Sequence, residues 1–236
     1  MKSVLAVAIA VLLAGSTAFG SLTISADAPT SDVIVSQTTY NDNSSIAWRA
    51  ESRFFAGQTF TATTDLVTAA SLLISQENAT DKMSAGMALV LTLWDANGNI
   101  AATSGDVLAS VNVTTPEFEK GPKAWWTFDL PDTEVTAGNV YGITLDFQYQ
   151  RNYVSSTDGG HKLGDDYWGW HRQTGMSLGD TYTGGRAFYS VNGNQWLTYV
   201  PENDFAFIIQ GTDVPEPATM ALLGLGAIGA LIRRKK

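Results

Sequence analysis

From Val33 onward, apolar and polar residues alternate along this chain with a period of two. Tyr141, Ile143, Leu145, Phe147 and Tyr149 alternate with Gly142, Thr144, Asp146 and Gln148. Leu89, Leu91 and Leu93 alternate with Val90, Thr92 and Trp94, and Ala124, Trp126, Phe128 and Leu130 with Trp125, Thr127 and Asp129. Phe205, Phe207 and Ile209 repeat the pattern near the end. Successive strand side chains point to opposite faces, so runs of this kind bounded by Gly, Asn, Asp and Pro predict half-buried β-strands. Asn97-Gly98 and Asn192-Gly193 predict tight turns, the second joining Arg186–Val191 to Gln195–Tyr199 as a hairpin. No stretch of this region carries a long 3.6-residue period. The expected fold is therefore all-β: an antiparallel two-sheet β-sandwich of jelly-roll type.

Two segments break the pattern at the ends. Met1-Lys2 precedes an apolar run from Val4 to Ala14, and Ala18-Phe19-Gly20 has the small-x-small spacing of a cleavage site. This predicts a secretory signal peptide over residues 1–20, with a helical apolar part, cut near Gly20. At the other end, Val214-Pro215-Glu216-Pro217 leads into Ala218–Ile232, apolar or small except Thr219, and then Arg233, Arg234, Lys235 and Lys236. As a helix, that run spans about 22 Å at 1.5 Å per residue, short of a hydrocarbon core of about 30 Å. The basic cluster predicts a cytoplasmic membrane stop, with the domain outside. Pro215 and Pro217 keep the approach extended, since proline disfavours helix in the residue before it. The expected organisation is a signal peptide, a β-sandwich over 21–213, and a tail over 214–236.

Charge and composition narrow the function of the middle. Setting aside five basic residues and Glu216 at the two ends leaves nine basic and 22 acidic residues, a net charge of −13. Such a domain repels polyanions, which argues against nucleic acid as a partner. With no cysteine, disulfides and thiolate metal sites are excluded. A domain this long can bury a core without such staples.

The segment 150–185 reads as a long loop insertion. It holds eight glycines, the aromatics Tyr153, Tyr167, Trp168, Trp170 and Tyr182, and both histidines of the chain, His161 and His171. Exposed aromatics offer flat faces for stacking on sugar rings, which makes Tyr167, Trp168, Trp170 and the nearby Trp196 candidate carbohydrate-binding residues. The other reading is a satellite core tucked over the sandwich. Asp158, Asp165, Asp166 and Asp180 are candidate calcium ligands, calcium favouring hard oxygen donors; their alternative role is solubility.

Recognisable catalytic patterns are lacking. The two histidines are not in a His-Glu-x-x-His array, and no Gly-x-Ser-x-Gly elbow or phosphate-cradling loop occurs. Asp95–Asn99 looks like the start of a calcium loop, but Ile100 stands where glycine is needed, so it reads as a hairpin turn. The acidic pairs Glu117/Glu119 and Glu202/Asp204 could each face one side of a strand, as the paired carboxylates of a glycosidase would, but paired acids on an acidic surface are ordinary. The expectation is a non-enzymatic protein with no cofactor.

The order Pro-Glu-Pro, short apolar helix, basic stop resembles the PEP-CTERM sorting signal. The resemblance implies recognition by an exosortase, a membrane protease that cuts near the Pro-Glu-Pro, with Pro215, Glu216 and Pro217 as recognition residues. It also implies export to the cell surface or extracellular matrix of a Gram-negative bacterium that makes extracellular polysaccharide. Gly57–Ala62, Leu89–Trp94 and Thr136–Tyr141 are similar to segments of ectodomains that accompany this tail, which resemble carbohydrate-binding jelly rolls. Expected functions are thus a sorted surface or matrix protein associated with polysaccharide, a specific carbohydrate-binding module, or a polysaccharide hydrolase.

Overall fold

A computed structural model describes residues 20–40, 45–49, 55–76, 82–83, 88–116, 118–119, 123–147, 167–173, 182–190, 196–198 and 204–213. The expected signal helix and the apolar tail helix lie outside these residues. Among the described residues, no helix is long and apolar enough to cross a membrane.

Sixteen strands are described: β1 (Leu22–Ser25), β2 (Val33–Gln37), β3 (Ser45–Arg49), β4 (Phe55–Thr61), β5 (Leu66–Gln76), β6 (Lys82–Met83), β7 (Ala88–Asp95), β8 (Asp106–Thr114), β9 (Phe118–Glu119), β10 (Ala124–Glu134), β11 (Val140–Phe147), β12 (Tyr167–Gln173), β13 (Ala187–Ser190), β14 (Trp196–Thr198), β15 (Asp204–Phe205) and β16 (Phe207–Thr212). All their pairings are antiparallel. One sheet has eight strands, a second has six in the order β14-β13-β4-β11-β7-β8, and β6 pairs β9 apart from both.

The connectivity is that of a jelly roll. Within the eight-stranded sheet, β2, β16, β5 and β10 are neighbours in that order. In the other sheet β4, β11, β7 and β8 are neighbours. Taking these eight in chain order, the sheets run first-eighth-third-sixth and second-seventh-fourth-fifth, which is two interlocked Greek keys. β1, β3 and β12–β15 are additions to that frame, extending the sheets.

The period of two explains which side chains meet. Leu89, Leu91 and Leu93 of β7 and Tyr141, Ile143 and Leu145 of β11 face Leu72 and Ile74 of β5, Trp126 and Phe128 of β10, and Phe207 and Ile209 of β16 in one core. Trp126, Phe128 and Phe207 are fully buried. Each such side chain contributes roughly 2–3 kcal/mol of transfer free energy, so this seam holds the sheets together.

The outer faces are not bare. On the eight-stranded sheet, Leu73, Trp125, Ala206 and Ile208 pack with Ala28 and Tyr40 of the N-terminal segment. Lys123 Nζ sits 4.7 Å from the centroid of the Tyr40 ring, within cation–π range. On the six-stranded sheet, Trp94, Ala96, Val140 and Phe188 gather under the segment carrying Ile100 and Ala102. Trp94 is the cross-strand partner of Gly142, and Phe188 that of Gly57. The indole lies across Gly142, donates from Nε1 to Thr144 Oγ1 at 2.8 Å, and meets Phe188 edge-on at 5.9 Å. Each glycine opposite an aromatic leaves the space its neighbour fills.

Irregularities fall where the chain needs them. β10 bulges against β5 between Asp129 and Thr133, the stretch containing Pro131, whose missing N–H a bulge accommodates. Asp95–Asn99 is not a closed hairpin turn but the first of two turns in the longer connection from β7 to β8. Asn97 and Gly98 both have positive φ (52° and 75°), Asn99 N donates to Ala96 O at 3.0 Å, and Ala102 N then donates to Asn99 O at 3.0 Å. The longer path is what brings Ile100 over Trp94. The expected hairpin at 186–199 is present as β13 paired with β14, Phe188 opposite Thr198 and Ser190 opposite Trp196; Asn192-Gly193 lies outside the described residues.

A Cβ at position 142 would stand 2.1–2.5 Å from three carbons of the Trp94 ring. We expect Gly142→Ala to cost about 1–3 kcal/mol, the usual range for overpacking. Urea unfolding of the two proteins checks this; an unchanged midpoint would mean that the indole is not held in place.

Candidate functional site

The C-terminal tail leaves the domain from the middle of a sheet. β16 lies between β2 and β5, with Ile209 opposite Val35 on one side and Ala70 on the other. Its last residues are tied down. Gln210 Nε2 donates to Ser31 O at 3.2 Å, Gly211 N donates to Asp32 O at 2.8 Å, and Thr212 is in register with Leu66. Asp32 reaches this position with φ of 54°, a left-handed conformation that aspartate tolerates better than most residues. Around the exit, Val135 N donates to Asp65 O at 2.9 Å, joining the β4–β5 and β10–β11 connections. Thr212 and Asp213 are exposed. Pro215, Glu216, Pro217 and the basic cluster Arg233–Lys236 follow outside the described residues.

The aromatic segment is placed differently from its sequence reading. Residues 150–185 do not form one continuous loop, because Tyr167–Gln173 is a strand. β12 pairs with β3 on one side, Trp168 opposite Trp48 and Trp170 opposite Ile46, and with β5 on the other, Trp168 opposite Gln76 and Trp170 opposite Ile74. Cross-strand partners share a face, so positions 168 and 170 belong to the same face as Ile74, which is in the inter-sheet core. Position 167 falls on the opposite face, and Trp196 is in β14, at the edge of the other sheet. The register therefore brings Trp168 and Trp170 together and sets Tyr167 and Trp196 apart from them. The signal for this strand was its β-prone Tyr-Trp-x-Trp core, obscured by the surrounding glycines. Asp158, Asp165, Asp166 and Asp180 lie outside the described residues. Among the described residues, no three His, Asp or Glu side chains group in a way that could hold a metal ion.

A buried polar cluster, for which the sequence gives no signal, joins the two sheets near β12. Gln58 of β4 points inward and is fully buried, as is Asp204 of β15. Gln58 Nε2 donates to Asp204 Oδ1 at 2.8 Å and to Thr59 O at 3.0 Å, while Gln58 Oε1 accepts from Phe205 N at 3.0 Å. One carboxamide thus connects a strand of each sheet. Asp204 is buried in this clasp, away from solvent, so the Glu202/Asp204 pair does not open onto a cleft from the Asp204 side. Beside it, the Tyr182 hydroxyl accepts from Thr61 N at 3.0 Å and its ring meets Phe207 edge-on at 5.4 Å. Burial pushes the Tyr182 phenol up to about 12; the bond from Thr61 opposes this, and the nearby Asp204 charge reinforces it.

Residues 213–236 match the family described as the PEP-CTERM protein-sorting motif. The matched span begins at Asp213, one residue after the end of β16, and contains the whole Pro-Glu-Pro, apolar and basic series. The motif marks an exported bacterial cell-surface protein that is processed by an exosortase. Compared with curated proteins, the chain matches none.

The raised Tyr182 value has a definite consequence for stability. A tyrosine in the unfolded chain titrates near pH 10, and the folded one near 12. The folded state therefore holds its proton longer, and the associated stability is complete below about pH 10 and disappears as pH rises through about 12. Urea unfolding at pH 9, 10 and 11 should show a steeper loss for the native sequence than for Tyr182→Phe. Parallel pH profiles would remove Tyr182 as the cause.

Proposed function

We propose that this chain is a non-enzymatic component of the polysaccharide-rich surface or matrix of a Gram-negative-type bacterium. The observation that carries the reading is the join: a sorting motif begins one residue beyond the last strand of an acidic jelly roll. An export signal at residues 1–20 delivers the chain across the inner membrane. Ala218–Ile232 and the basic Arg233–Lys236 then hold it there until the exosortase cuts near Pro215–Pro217. The logic parallels lipid-anchor signals, whose apolar tail is removed so that the mature protein has no span. The reading calls for no resident cofactor; calcium enters it only through Asp158, Asp165, Asp166 and Asp180.

Intact mass of the protein recovered from host membrane and extracellular fractions tests this reading. We expect a C-terminus near Pro215–Pro217 outside the membrane, and accumulation of full-length chain in the membrane for Glu216→Ala. A native protein found only in membranes and ending at Lys236 would make the tail a permanent anchor and end the proposal.

A specific carbohydrate-binding role is the second reading, supported by the jelly-roll frame and by the register that puts positions 48, 168 and 170 on one face of the sheet. Retention on host polysaccharide should fall at least about tenfold in Trp168→Ala/Trp170→Ala if sugar stacks there, aromatic–ligand stacking being worth on the order of 1 kcal/mol or more per ring. Equal retention, in a variant whose thermal unfolding is still cooperative, would remove those residues from any ligand site. Trp196→Ala tests the opposite sheet in the same way.

A further inference from the structure

The distance from the folded domain to the sorting motif is very short. Thr212 is the last residue in register with a neighbour, opposite Leu66, and Pro215 follows three residues later. Fully extended chain covers at most about 3.6 Å per residue, so Pro215 lies within about 11 Å of the sheet. A single transmembrane helix with its side chains is already about 10–12 Å across. A membrane enzyme that surrounds the Pro-Glu-Pro therefore cannot stand clear of the domain.

The exit offers no extra slack. β16 is an interior strand, so its end is flanked by β2 on one side and β5 on the other. Peeling it back would break the bonds from Gly211 N to Asp32 O and from Gln210 Nε2 to Ser31 O. Gly211 is also packed closely against Leu66 O and the Ile34 side chain. The tail is thus presented from the centre of a rim formed by the starts of β2 and β5 and the β10–β11 connection.

We propose that this rim is a docking surface for the exosortase that reads the tail, contacted during every cut. The proposal rests on the reading that cleavage falls near Pro215–Pro217. The chemistry of the rim favours a protein occupant over lipid. Asp32, Asp65, Glu134 and Asp213 are exposed there, and residues 31–33, 62–66, 134–139 and 212–213 contain no Lys or Arg. Anionic headgroups would repel such a surface at short range. Basic or N–H donor groups around the enzyme's entrance would complement it and speed encounter.

The test uses the full chain in its host, following conversion to the cut form by intact mass after a pulse of synthesis. Two rim changes, Asp65→Lys with Glu134→Lys, are combined with the native spacing or with twelve Gly/Ser residues inserted between Asp213 and Val214. Such a linker adds about 20 Å of mean reach, enough to let the domain move off the enzyme. The charge reversal should slow cutting at least about fivefold at native spacing and by less than about twofold with the linker, as rim charges act on association rate. Cutting that is unaffected by the reversal at native spacing would overturn the docking surface. So would equal slowing with and without the linker, since damage to the domain would then explain it. If the rim instead meets lipid, the reversal should speed cutting at native spacing, which also overturns the proposal. Failure of the native chain to be cut near Pro215–Pro217, or cutting of Glu216→Ala at the native rate, would sink the tail reading itself.

Discussion

The insertion of the last strand between two earlier ones is the constraint on which this structure rests. β16 supplies Phe207 and Ile209 to the inter-sheet core and hydrogen-bonds to both β2 and β5. Without it, β2 has no partner among the described strands, and β5 loses its pairing from Leu66 to Leu72 on that edge. Those contacts join residues far apart in sequence, and long-range pairing of this kind is slow to form because loop closure precedes its reward. The domain is complete only when nearly the whole chain up to Thr212 is available.

That constraint links the fold to the sorting tail. The strand that closes the sandwich is the one that leads directly into the motif at residues 213–236. In the six-stranded sheet, Trp94 and Phe188 fill the space above Gly142 and Gly57, and the β7–β8 connection covers them. In the other, the N-terminal segment covers Trp125 and Leu73. Both outer faces are therefore partly sealed by chain that a plain jelly roll would not need. The additions β12–β15 lie between β11 and β16, so a segment rich in tyrosine and tryptophan is inserted just before closure.

The clasp of Gln58 and Asp204 shows a different use of polar groups. Buried charge is costly unless it is hydrogen-bonded, and here a carboxamide from one sheet meets a carboxylate from the other at 2.8 Å. Because its geometry is directional, this contact fixes the registry of β4 against β15 in a way that apolar packing alone does not. Tyr182 beside it is kept neutral by the same burial.

Much of this was legible from residue order. The alternation in β7, β10, β11 and β16 marked strands and their inward faces, because a period of two maps directly onto a pleated sheet. The Pro-Glu-Pro, apolar and basic series marked the sorting tail, because that signal is read from the local sequence. Position in the three-dimensional frame was not legible. Trp168 and Trp170 looked like loop aromatics amid glycines, yet pairing with β3 and β5 places them in a strand beside Ile74. Asp204 looked like half of a surface acidic pair, yet Gln58, 146 residues away, takes it into the interior. Local pattern determined that β7, β10, β11 and β16 are strands and where the tail begins. Only the tertiary structure decided which strands are neighbours, since pairing partners and buried polar contacts depend on long-range register that no short stretch of chain encodes.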